Sequence, residues 1–203
     1  MSNSIVSADG RARCGWSAAA PEFLEYHDNE WGYPVGDDIR LFEKICLEGF
    51  QSGLSWRTIL AKRDNFREAF AGFDFEKVAG YGQKEVSRLL DNAGIIRHRG
   101  KIEATINNAA RACEMVQSEG SLAAFFWRYE PVPENCAEPQ TESTSAESVA
   151  LSKELKKRGW KFVGPTTVYA FMQAMGLIND HVGECVIRAR VGKARDAFRR
   201  PCA

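Results

Sequence analysis

Four residues near the two ends of the chain carry donor atoms suited to one metal ion. Cys14 precedes His27 by thirteen positions, and His181 precedes Cys185 by four. Imidazole nitrogen and thiolate sulfur are the donors zinc prefers, and two of each make a closed tetrahedral site. Neither spacing is a signature by itself: the first is wide, and the second also suits an ordinary short helix. A single zinc on all four requires the fold to bring the termini together. Asp28 and Asp180 each adjoin one of these histidines, either orienting the imidazole or capping a helix.

Glu48 falls on the helical stripe of Leu41 and Ile45, where a lone carboxylate is costly to bury. Either the stripe has its edge there and the carboxylate reaches water or a helix end, or Glu48 is a buried acceptor for a ligand's donors or positive charge. Gln51, Ser52 and Gly53 follow and suggest a narrow polar opening. Trp16, Tyr26, Trp31, Tyr33 and Trp56 surround these positions in sequence. Aromatic residues are core by default. Yet Trp16, Tyr26 and Trp31 gather around the proposed metal ligands rather than on a clean stripe. With an acidic residue they can form a slot for a flat, electron-poor ring such as a flipped nucleobase.

A third candidate is Gly94-Ile95-Ile96-Arg97-His98-Arg99-Gly100, followed by Lys101. Its glycines permit positive φ and close backbone approach. The free amides of the next helix, beside Arg97, Arg99 and Lys101, would suit a phosphate. An ordinary helical hairpin with a solvated basic turn explains the same residues. His98 is the histidine left over from the metal set, and nothing near it supports a Ser-His-Asp triad.

The elements that must position these groups read as helices almost throughout, so the fold class is all-α. Ser55 is placed as the N-cap of a helix carrying Trp56, Ile59, Leu60, Phe66 and Phe70. Val86, Leu89, Leu90 and Ala93 form a stripe ended by Gly94, and a long helix runs through Ile102, Ile106, Ala109, Cys113 and Val116. Thr144 and Glu147 suggest a capping box before Leu151 and Leu155, with Gly159 at the far end. Pro165 suits the first turn of a helix with Val168, Phe171 and Met172. No alternating strand pattern and no repeat stands out. Residues 131–146, with Pro131, Pro133 and Pro139 among Ser, Thr and Glu, read as a solvated connection.

Of the 203 residues, 44% are hydrophobic, enough for a real core, and 27 basic residues balance 27 acidic ones. Net charge therefore selects no partner. Residues 1–13 are polar, without a signal-peptide core, and no apolar run approaches the roughly 20 residues of a membrane span. Cys46 and Cys113 lie on apolar stripes, and Cys136 and Cys202 have no partner at a readable spacing. A disulfide scaffold is not expected; a reducing cytoplasm is. Residues 1–10 are expected to be a disordered extension, 11–186 a single unit, and 187–203 a basic tail, with disorder the commoner outcome for such a stretch.

Several of these segments resemble the DNA-3-methyladenine glycosylase I family. Arg13-Cys14-Gly15-Trp16, Tyr26-His27-Asp28-Asn29-Glu30-Trp31-Gly32, Leu47-Glu48-Gly49, Gly53-Leu54-Ser55-Trp56, the run from Gly94 to Ile102, Phe162-Val163-Gly164-Pro165-Thr166-Thr167 and Asn179-Asp180-His181 carry the likeness, from about residue 11 to 186. The resemblance implies a helix-hairpin-helix helical bundle. It also implies a monofunctional enzyme that flips 3-methyladenine out of double-stranded alkylated DNA and hydrolyses its N-glycosidic bond in base excision repair. It further implies one structural zinc on Cys14, His27, His181 and Cys185, joining the N- and C-terminal regions. Glu48 would hydrogen-bond the base in a pocket of Tyr26 and Trp56, with Trp16 and Trp31 nearby. Gly94, Arg97, His98, Arg99, Gly100 and Lys101 would meet the DNA backbone. A cytoplasmic monomer without membrane contact is expected. Family members lack the aspartate that many related glycosylases place after the hairpin. Here, too, Ile102 to Gly120 holds only Glu103, Glu114 and Glu119 as acids. Two other classes compete: a zinc-stabilised DNA-binding module without catalysis, and a zinc hydrolase, which would need an open metal position.

Overall fold

A computed structural model describes residues 4–132 and 137–202. Pro133, Glu134 and Cys136 of the connection read above lie outside the described residues. The elements, in order, are β1 Ser4–Val6, β2 Ala12–Cys14, α1 Pro21–Asn29, α2 Asp38–Gln51, α3 Trp56–Leu60, α4 Arg63–Ala69, α5 Phe75–Ala79, α6 Gln83–Asp91, α7 Arg99–Glu119, α8 Leu122–Phe126, α9 Ala146–Lys157, α10 Pro165–Ala174 and α11 Arg188–Ala197. The molecule is mostly helical, as the periodicity implies.

The departure is a small antiparallel hairpin, β1 against β2 in the register Ser4–Cys14, Ile5–Arg13, Val6–Ala12. Residues 4–6 therefore pair within the stretch expected to be a disordered extension. Three-residue strands are too short to show an alternating pattern, so sequence periodicity has nothing to detect. The C-terminal stretch departs likewise. It forms α11, whose Val191 is fully buried, while Arg195 and Arg200 both pair with Glu130 at 2.8 Å. These cations are engaged with the protein's own carboxylate rather than dispersed in solvent.

Helix α2 is the centre of the fold. Every residue from Leu41 to Phe50 is buried, including Glu43, Lys44 and Glu48. Around it pack α3, α7, α8 and α10. Its N-terminus is fixed twice: Asp37 accepts from the Arg40 amide at 2.8 Å, and Asp38 accepts from the amides of Leu122 and Ala123. A stack of aromatic rings, Phe50, Phe66, Phe70 and Phe73, fills the space on one side. Burying such side chains contributes on the order of 2–3 kcal/mol each.

Local signals succeed where a side chain can cap. Ser55 accepts from the Thr58 amide at 3.2 Å, and Pro165 opens α10. The single helix expected after Ser55 is instead two, because Lys62 leaves the helical region between α3 and α4. The cap of α9 lies one residue later than read: Ser145, not Thr144, exchanges bonds with Ser148. Helix α6 stops at Asp91, and Gly94 is not among the glycines with positive φ. A side chain at 94 would meet Asn92 Oδ1 at 2.9 Å and Asn65 at 3.2 Å, so crowding rather than φ calls for glycine. Gly176 requires both. Its φ is +79°, and a Cβ there would lie 2.5 Å from the Tyr33–Pro34 backbone.

Candidate active site and metal centre

The two ends of the chain do meet. The Val186 amide donates to Ala12 O at 3.0 Å, which sets the loop holding Cys185 beside β2 and Cys14. His27 comes from α1 and His181 from the segment after α10. All four residues are buried, and their donor atoms lie within 4.8 Å of one another. His27 Nε2 is 3.2 Å from His181 Nδ1, and the Sγ–N separations are 3.6 Å for Cys14–His181, Cys185–His27 and Cys185–His181. A tetrahedral ion with ordinary zinc bond lengths sets N···N edges of about 3.3 Å and S···N edges of about 3.6 Å. The donor set therefore fits a metal of that kind.

The remaining ring nitrogens are committed. His27 Nδ1 lies 2.7 Å from Asp28 Oδ1, and Asp28 is held in turn by Arg13 at 2.9 Å, which also grips Asp9. Burial would raise the Asp28 pKa, but Arg13 and then His27 bring it below the ordinary value. His181 Nε2 lies 3.1 Å from Trp31 O. Asp180, which sequence offered as the orienter of His181, instead accepts from the Gln140 amide and from Gln173 Nε2. The two thiols cannot both ionise cheaply side by side: donation from Cys14 pulls Cys185 down, and Cys185 pushes Cys14 up. A divalent cation removes that conflict.

Next to this cluster lies a cavity of about 380 Å³ lined by Trp16, Tyr26, Trp31, Glu48, Gln51 and Trp56, with Gln140, Gln173 and Asp180 at its far side. Trp16 and Trp31 belong to both sites. Trp31 packs edge-on against His181 with ring centres 4.6 Å apart, and Trp16 against His27 at 5.2 Å. Tyr26 directly precedes His27 of the donor cluster and lies 5.4 Å from Trp56. The Cys/His cluster thus forms part of the wall behind the aromatic slot.

Glu48 is 6% exposed and faces this cavity, so it is no stripe edge. Sequence reasoning missed its partner, Lys44, one turn earlier on α2. Lys44 Nζ lies 2.7 Å from Glu48 Oε1, donates to Tyr26 Oη at 2.8 Å and sits 3.4 Å from the centre of the Trp56 ring. Burial lowers the Lys44 pKa, with Glu48 opposing, and raises that of the Tyr26 hydroxyl well above normal, with Glu48 adding to it. The i, i+4 spacing was the available signal, but on a helix it reads first as a surface ion pair. Trp56 Nε1 is buried and has no hydrogen-bond partner among the described residues.

The hairpin between α6 and α7 exposes Arg97, His98 and Arg99, with Gly94 and Gly100 partly covered. His98 Nδ1 accepts from the Lys101 amide at 3.2 Å, so one of the helix N-terminal donors is already taken. Lys101 does not face outward. Its Nζ donates to Phe50 O at 2.8 Å and Ser52 O at 2.5 Å, tying the hairpin to the C-terminal end of α2, beside Gln51 and the slot. The expectation of a phosphate contact from its ammonium is corrected accordingly: the last carbonyls of a buried helix are its better partners.

A family model described as methyladenine glycosylase matches residues 16–189. DNA-3-methyladenine glycosylase 1 of Escherichia coli (strain K12) is 52% identical over 178 residues, covering 85% of this chain and 95% of the relative. A crystal structure of a 3-methyladenine DNA glycosylase I superposes with a TM-score of 0.81 at 47% identity, over 86% of this chain and 98% of that one. A tyrosine-to-phenylalanine variant of such an enzyme in complex with 3-methyladenine gives 0.76 at 35% identity, over 86% and 96%.

Proposed function

The chain belongs to the methyladenine glycosylase family, and from that membership we propose that it excises 3-methyladenine from alkylated DNA by hydrolysing the N-glycosidic bond. Methylation at N3 gives the purine a positive charge. When the bond from N9 to C1′ breaks, its electron pair stays with the purine, which leaves neutral, and water adds at C1′ and gives up a proton to solvent, leaving the abasic sugar. Such a leaving group needs little acid catalysis, so the enzyme's main task is to choose the base and hold it flipped out.

The observation that carries this reading is that a buried carboxylate, Glu48, faces a cavity walled by Tyr26, Trp56, Trp16 and Trp31. An ammonium lies against the Glu48 carboxylate and over the Trp56 face, the two features a charged purine would use. Glu48 accepts from the base, Tyr26 and Trp56 stack on it, and Trp16 and Trp31 close the outer wall. Neutral adenine gains less from both the carboxylate and the ring faces. Arg97, His98, Arg99 and the backbone from Gly94 to Gly100 meet the phosphates of double-stranded DNA, and Lys101 holds that hairpin in place. The enzyme is monofunctional, monomeric and cytoplasmic in this reading. No helix among the described residues is long and apolar enough to cross a membrane.

Cys14, His27, His181 and Cys185 hold one zinc. Four protein donors leave no open coordination position, so the ion ties the termini together and takes no part in the reaction. The same count disfavours a zinc hydrolase, and the cavity at Glu48 disfavours a purely DNA-binding module. Release of free base from N3-methylated DNA, with the product identified, tests the proposal. Wild-type protein is expected to release 3-methyladenine, and absence of release from a folded, metal-loaded protein overturns the reading.

A further inference from the structure

Lys44 is not needed to explain recognition of a cationic base, and its position conflicts with it. Its ammonium makes three contacts: the Glu48 carboxylate at 2.7 Å, the Tyr26 hydroxyl at 2.8 Å and the Trp56 face at 3.4 Å. The proposed function gives the same three groups to the base. Tyr26 and Trp56 form a shared wall between the large cavity, which Glu48 faces, and a small one of about 20 Å³ behind, which Lys44 lines. Lys44 lines the small cavity, and from there its ammonium reaches Glu48, Tyr26 and Trp56 at that wall.

Two cations cannot share this place. In a buried slot, a second positive charge a few ångströms from the first is strongly repelled, and one carboxylate compensates only one of them. We propose that the Lys44 ammonium is a resident cation standing where the base carries its charge, so that an alkylated base binds by exchange with it. This inference rests on assigning the slot to a cationic purine. Until exchange, Lys44 gives a buried carboxylate its counter-charge and holds Tyr26 in line, so the empty pocket does not collapse.

The exchange also raises the threshold for the wrong ligand. A neutral base that displaced Lys44 would leave Glu48 without a counter-charge, whereas an alkylated base replaces one cation by another. Behind the slot, Glu30 and Glu43 are already occupied by Arg63 at 2.6 Å and Arg67 at 2.9 Å. The displaced ammonium therefore competes there with Arg63 and Arg67 for these carboxylates, and its departure opposes binding.

Calorimetry with a permanently cationic adenine, alkylated at N3 and N9, tests this on the intact protein and on Lys44→Met, Lys44→Gln and Lys44→Arg. The Met and Gln variants are expected to bind it roughly tenfold more tightly or better, a gain of about 1.4 kcal/mol, and the Arg variant no more tightly than the parent. Unchanged or weaker binding in both neutral variants would show that Lys44 assists the base, and overturns the exchange. Independently of any variant, a structure of the parent with this probe is expected to show Nζ withdrawn from Trp56. An ammonium still on Glu48 beside the bound probe overturns it too. If none of the four proteins binds the probe, the assignment of the slot falls, and the exchange with it.

Discussion

The metal cluster and the slot beside it are both buried polar sites assembled from distant segments, and they share Trp16 and Trp31. They differ in how fully their polar atoms are committed. In the cluster, each imidazole has its second nitrogen on a fixed acceptor, and the four remaining donors converge at tetrahedral spacing. Nothing there can accept a substrate. In the slot, the carboxylate is satisfied by a flexible lysine side chain, an indole N–H has no partner among the described residues, and a cavity opens alongside. A closed set of donors serves the fold. A set completed only provisionally serves binding.

The sharpest break of that contrast is removal of the metal. A structural zinc in a set like this is worth on the order of 10 kcal/mol, and about 1 kcal/mol shifts Tm by roughly 2–4 °C in a chain of this size. Chelation, or Cys185→Ser, is therefore expected to lower Tm by well over about 10 °C in a thermal melt and to abolish activity only as a consequence. Retained stability with activity alone lost would place the metal in the chemistry.

Glu48→Gln is expected to do the reverse. The variant keeps stoichiometric zinc and its fold, with Tm lowered by the unpaired Lys44 ammonium, but loses about 100-fold in base excision, the scale of removing one preorganised electrostatic partner. Full activity would remove Glu48 from the pocket. Trp56→Ala follows, with a loss of roughly 10-fold or more in affinity for the cationic base, since stacking contributes about 1–3 kcal/mol per base. At the hairpin, Arg97→Ala and Arg99→Ala should each weaken DNA binding only a few-fold and reduce the slope of log K against log salt by about 1, with free-base binding untouched. In none of these proteins should borohydride trap a covalent DNA adduct.

The smallest expected effect is acid sensitivity at the back of the slot. Burial would raise the Glu30 pKa, but the fork of Arg63 holds it below its ordinary 4.5. A depressed carboxylate contributes stability above its unfolded value and loses it as pH falls through the folded one. Arg63→Met is therefore expected to lower Tm slightly at neutral pH, where the pairing contributes, and to flatten the decline of Tm below about pH 4.5.

Much of this was legible one residue at a time. The donor set was readable because Cys and His are few and chemically specific. Glu48 was readable because a carboxylate contradicts an apolar stripe. Ser55 and Pro165 were readable because a cap depends only on its next turn. Lys44 was not, since Lys and Glu at i, i+4 look the same on a solvated face and on a buried one. Lys101 misled for a related reason: basic residues in a turn imply solvent and phosphate, and nothing local says that one of them reaches back to Phe50 and Ser52. The strand Ser4–Val6 and the docked helix Arg188–Ala197 were missed because their partners are remote.

By itself, the sequence determined the kinds of donor, the helical periodicity and a set of long motifs whose residues resemble one family. Tertiary structure alone decided that Cys14 and Cys185 converge, that α2 is buried on every side, and that an ammonium faces both a carboxylate and an indole. Residue type and spacing are set along the chain. Burial, convergence of donors and competition for one cavity arise only when α3, α7, α8 and α10 pack around α2 and side chains of α1 and α4 reach it, because they depend on what lies across the space between them.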